Sequence, residues 1–185
     1  MDTMKYAQHI IEELQRSISQ LDEEETERMA ELLLQSNKIF VAGAGRSGLM
    51  GRAFAMRLMH VGKEAYVVGE TVTPGIEQGD VLVLGSGSGE TKGLISMAEK
   101  AKGVGAEVVA VTIAPDSTVG RLAGYTVKLP GSPKDPASGS YSTIQPMASL
   151  FEQTMLVFYD AIILRMMEKT GQTNQQMFGK HANLE

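Results

Sequence analysis

The stretch that most constrains this chain is V-L-V-L at 81–84, followed without a break by G-S-G-S-G-E-T at 85–91. Four consecutive apolar residues suit a strand buried on both faces of a sheet, and such a strand needs helices on each side. Past Gly85, hydroxyls and glycines alternate through Ser86, Gly87, Ser88 and Gly89. Glu90 and Thr91 then precede a helical pattern at Leu94, Ile95, Ala98 and Ala101. Strand, glycine–serine loop and helix in that order make an anion site. The glycines let backbone N–H groups approach a ligand, and the helix start adds unpaired N–H groups with a partial positive charge. Ser86, Ser88 and Thr91 can donate further hydrogen bonds. A helix cap accounts for one hydroxyl, not for three interleaved with three glycines, so a small phosphate ester is the expected ligand.

The rest of the chain repeats the same unit. Strands are predicted at 39–42, 65–68, 81–84, 108–112 and 125–129, and helices follow the first, third and fourth of them. The second of these helices begins after Thr91, and the third is a short one capped by Ser117 and running to Leu122. Alternation with short crossovers predicts an α/β fold: three αβα layers around a five-stranded parallel sheet. Two helices precede it. Ala7, Ile10, Ile11, Leu14, Ile18 and Leu21 mark one over about 3–20, and Asp22 with Glu25 opens a second with Met29, Leu32 and Leu33 on its apolar face. A Pro, Gly and Ser-rich loop at 130–139 leads to a long helix. Met147, Leu150, Phe151, Thr154, Phe158, Ala161, Ile162 and Arg165 lie along one side of it, and Gly171 ends it. A tail helix is predicted at 174–181. The 185 residues suit one domain, 1–185, with N-terminal helices at 3–36, sheet and loops at 38–130 and C-terminal helices at 144–184. A long apolar helix at the edge of so small a domain would leave a large apolar patch, which predicts an oligomer.

A second loop has the same logic. G-A-G-R-S-G at 43–48 follows the first strand and precedes a helix, and it fits G-x-G-x-x-G. Glu70 near the end of the second strand would suit a ribose-binding acid, so a dinucleotide site competes as a reading. Against it, Arg46 and Ser47 place a cation and a hydroxyl where that turn needs neither, and a dinucleotide fold needs no second Ser/Gly loop. Both loops end parallel strands, so both belong to the carboxyl edge of the sheet and can grip one sugar phosphate from two sides. Composition excludes other classes. A net charge of −5 does not attract nucleic acid or anionic membrane. The absence of cysteine removes thiol nucleophiles and disulfides and fits a cytoplasmic location; three scattered histidines offer no metal cluster. The first residues lack a basic segment followed by an apolar one, so no signal peptide is expected. The apolar stretch at 155–167 is too short and too charged to span a membrane.

The pairing of G-x-G-x-S with S-x-S-G-E-T on successive βα loops resembles the sugar isomerase (SIS) domain family. Within it, M-R-L-M-H-V-G at 56–62, V-V-G-E-T-V-T-P at 67–74, F-E-Q-T at 151–154 and H-A-N-L-E at 181–185 resemble the 6-phospho-3-hexuloisomerases. The resemblance covers nearly the whole chain. It implies interconversion of 3-hexulose 6-phosphate and fructose 6-phosphate, the second step of ribulose monophosphate formaldehyde fixation, by a homotetramer without metal or cofactor. It implies that Gly45, Arg46, Ser47 and the segment Ser86, Gly87, Ser88, Gly89, Glu90 and Thr91 bind the substrate, and that Glu152 is the catalytic base. Read from its own surroundings, Glu152 sits in an apolar helix where partial burial would raise its basicity. It also suits an acid of an early helical turn, favoured by the dipole or paired with a cation. His181, His60 and Arg46 are the candidate donors to the developing enediolate oxygen; the tail carrying His181 could reach a neighbouring subunit. A sugar-phosphate sensor and another aldose–ketose phosphate isomerase are the competing functions.

Overall fold

The computed structural model describes residues 2–131 and 142–184. Helices α1 (Thr3–Ile18) and α2 (Glu23–Gln35) lead to β1 (Lys38–Gly43), α3 (Gly45–His60), β2 (Glu64–Val67) and β3 (Val81–Gly85). There follow α4 (Lys92–Gly103), β4 (Glu107–Thr112), α5 (Thr118–Leu122), β5 (Tyr125–Lys128), α6 (Ser149–Thr170) and α7 (Asn174–Phe178). All five strands pair in parallel, in the order β2-β1-β3-β4-β5. Alternate side chains point to opposite faces. Ile39, Val41, Val81 and Val83 therefore pack with α2, α3 and α6, whereas Phe40, Ala42, Leu82 and Leu84 pack with α4 and α5. These are the three expected layers, with α1 laid against α6.

Three expectations need correction. Met147 is not part of the long helix; it precedes α6 with φ 56°, a left-handed conformation rare outside glycine. Ala161 faces solvent, and Tyr159, Ile163 and Met166 share the buried surface in its place. Nor is α6 left bare at a sheet edge: it is buried along most of its length, because α1, α2 and α3 all cover it. The exposed apolar residues on these two helices are instead Leu49, Met56 and Met59 on α3 and Val157 and Leu164 on α6. Of the loop expected at 130–139, only residues 130 and 131 fall within the described residues.

Sheet order fixes where the two glycine loops go. β1 and β3 are neighbours, and Gly43 stands opposite Gly85 in their register. The loops after them therefore leave the same edge side by side.

Candidate active site

Helix capping divides the helices into two groups. Asp2, Asp22, Ser117 and Thr173 each accept a hydrogen bond from a first-turn backbone N–H of α1, α2, α5 and α7, the usual solution for unpaired donors. α3, α4 and α6 have no such bond: Ala44 and Ala148 have no capping group, and the Thr91 hydroxyl does not cap. α3 and α4 begin beyond Gly43 and Gly85, and α6 joins them through Arg46. The Arg46 guanidinium donates to Ser149 Oγ at 2.8 Å and lies 3.1 Å from Glu152 Oε2. Phe151 of the same turn lies within 3.3 Å of where a side chain on Gly87 would begin. Three helix starts without a side-chain cap thus meet at one place, each carrying a partial positive charge.

The loops owe their shape to glycine and to internal bonds. Gly48 admits no side chain, since its Cβ would press on the Gly43 carbonyl; α3 can begin this close to β1 only there. Gly89 adopts φ 63°, and a side chain on it would overlap the Ser117 hydroxyl. Ser86, buried, accepts the Gly89 N–H at 3.1 Å, and Ser88 Oγ accepts the Glu90 N–H at 3.3 Å. Glu90 turns away from the other loop: its carboxylate accepts the Thr118 N–H at 2.8 Å, at the start of α5. That hydrogen bond holds the Glu90 carboxyl below the ordinary carboxylate range. Ser86, Ser88 and Glu90 therefore help to shape the loop, while Ser88 is exposed and Ser47 and Thr91 are half-buried at the carboxyl edge of the sheet. Glu70, the candidate ribose ligand, is ion-paired with Arg52.

Glu152 is buried beneath this edge, 6% exposed, with Arg46 as its cation. Both of its expected features hold at once: the burial a base needs and the pairing of a structural acid. The histidines stand elsewhere. His60 ends α3, roughly 22 Å along the helix axis from Gly45 at 1.5 Å per residue. It is buried, and its ring stacks on His181 with centroids 5.6 Å apart. Burial, with Arg57 and His181 beside it, holds the His60 imidazole below its ordinary range. Within one chain, then, His181 does not join Glu152; of the three candidate donors only Arg46 does. Ser149 was not foreseen from sequence, although a serine three residues before the candidate base in the same helical turn was the available signal. No group of three His, Cys, Asp or Glu side chains suits a metal among the described residues, and none of their helices is long and apolar enough to cross a membrane.

A five-stranded parallel sheet with flanking helices is the architecture of sugar isomerase domains, and the SIS domain family model matches residues 32–157. The chain belongs to the SIS domain family. It is 54% identical over 185 residues, the full length of both chains, to the 3-hexulose-6-phosphate isomerase of Bacillus subtilis. To the enzyme of that name from Mycobacterium gastri it is 40% identical over 174 residues, covering 94% of this chain and 87% of the other. A protein of Methanococcus jannaschii, whose crystal structure was said to infer a 3-hexulose-6-phosphate isomerase function, superimposes with a TM-score of 0.83. It is 32% identical, with 98% and 99% of the two chains covered.

Proposed function

We propose that the chain is a cytoplasmic isomerase that converts 3-hexulose 6-phosphate to fructose 6-phosphate through a cis-enediol, with Glu152 as the base. The observation that carries this reading is the meeting of two phosphate-type loops with one buried carboxylate on α6. Moving the carbonyl from C3 to C2 takes one proton from C2 and returns it at C3, and one carboxylate over both carbons can do both. The loops bind the phosphate through Gly45, Ser47, Ser88, Thr91 and the adjacent backbone N–H groups. Arg46 lies between phosphate and base, where its charge favours the enediolate. The C6 oxygen carries the phosphate, so no furanose closes on C3, and the forward substrate needs no ring-opening acid. A homotetramer brings His181 of a partner subunit to the site as a second donor.

The test is fructose 6-phosphate in heavy water, followed by proton NMR. A 3-ketose product carrying deuterium at C2, with exchange at C3 of the remaining fructose 6-phosphate, is expected, and Glu152→Gln retains phosphate binding while losing kcat by at least about 100-fold. Exchange at C1 would reassign the protein to an ordinary aldose–ketose pair; neither product nor exchange would favour a binding protein.

A further inference from the structure

Glu13 lies midway along α1, and it is 4% exposed while neighbouring Ile11 is 63% exposed. Burying a carboxylate costs several kcal/mol unless charge and hydrogen bonds offset it. Here the offset comes from three consecutive residues. Thr143 Oγ1 donates to Glu13 Oε2 at 2.7 Å, the Ile144 N–H to Oε1 at 2.8 Å and Gln145 Nε2 to Oε2 at 2.9 Å, and the Arg16 guanidinium lies 3.8 Å away. Burial alone would raise the Glu13 carboxyl, but the bonds from Thr143, Gln145 and Ile144, with Arg16, outweigh it and hold it below the ordinary carboxylate range.

What this carboxylate grips is the approach to α6. Beyond Gln145 the chain passes through Met147 at φ 56°. The Met147 side chain is 67% exposed, so its own packing does not enforce that conformation, and the surroundings must. Glu13 fixes the chain on the near side. On the far side Ser149 and Glu152 meet Arg46. A rotation of the 143–147 segment would turn the first α6 turn and carry the Glu152 carboxylate away from the loops.

We propose that Glu13 is a positioning residue that aims Glu152 by clamping residues 143–145. For its kinetic effect this rests on the isomerase reading; the clamp itself does not. The experiment compares the full chain with Glu13→Gln, Thr143→Val and the double substitution Glu13→Gln/Glu152→Gln. Glu13→Gln lowers kcat about 10- to 100-fold, the loss that follows displacement of a reacting group by about 1 Å, and leaves KM within about two-fold because the phosphate loops are untouched. In the Glu152→Gln background the same change moves the residual rate by less than about two-fold, since it acts through Glu152. Amide exchange in peptides covering 142–153 speeds up by at least about ten-fold, while β3 keeps its parent rate. Unchanged kcat and exchange in Glu13→Gln overturn the proposal, as does a further large loss in the Glu152→Gln background. Should Glu13→Gln fail to fold, Thr143→Val removes a single donor, and parent-like kcat and exchange in it overturn the clamp. A parent protein that leaves the sugar unchanged refutes the isomerase reading, while the exchange measurement still decides the clamp.

Discussion

A carboxylate that moves a proton has to be shielded from water yet must not be neutralised for good. Glu152, the proposed base, is buried and faces a cation that is itself about half exposed, Arg46. Arg46→Met takes the cation from a buried carboxylate, and stability should fall by about 1–3 kcal/mol. Adding Glu152→Gln should restore most of the loss, because no buried charge then lacks a partner. Thermal melts of the two single variants and the double check this; a double variant no more stable than Arg46→Met would show that the ion pair is not the source. At this scale sequence showed the residue types better than their tasks. Ser86 and Glu90 stand in the predicted motif, but they serve the loop and α5. For Glu90 that task depends on Thr118, 28 residues away in sequence, whose position no local pattern reveals. Glu13 was invisible for a related reason: a helical pattern identifies an apolar face, not an acid on that face whose partners lie 130 to 132 residues away.

At the scale of elements, the missing caps set stability against binding. Ala44→Ser would give α3 a capping hydroxyl, worth about 1 kcal/mol in a free helix end. We expect a higher melting temperature and a higher KM for the sugar phosphate, because the same N–H groups are already occupied. A KM equal to the parent's would remove the α3 start from the phosphate site. At the other end of α3 the sign of a pH effect is fixed. The native state holds His60 below its ordinary 6.5, so the unfolded chain binds the proton more readily. Stability from this group is full above about pH 6.5 and is lost as pH falls through the lower folded value. Melting temperature should drop on acidification below about pH 6.5, and His60→Phe, which keeps the ring stack without titrating, should flatten that drop. Glu13 and Glu27, both held below 4.5, act in a separate and more acid window. Strands and helices were legible because runs such as 81–84 and caps such as Asp22 and Ser117 act locally. The start of α6 was not, because Met147 takes a left-handed backbone angle that its residue type does not announce.

For the whole molecule, the apolar residues left over matter most. Leu49 and Met56 on α3 and Val157 and Leu164 on α6 are exposed on two helices packed side by side, each pair seven residues apart. Seven residues are close to two turns, so each pair lies on one stripe. Leu164→Glu should shift the assembly to smaller species in light scattering. If the site takes His181 from a partner subunit, kcat falls with it; a parent that runs as a monomer would refute the tetramer. The register of Gly43 with Gly85 has a separate consequence for anyone altering the enzyme's preference. On the proposed reading the anion grip lies at two adjoining strand ends, whereas the base stands on a single turn of α6. Grip and reader are therefore separate modules. A library aimed at phosphosugars of another length should leave 43–48 and 85–91 alone and vary the approach to α6, where a change of aim costs no loss of handle.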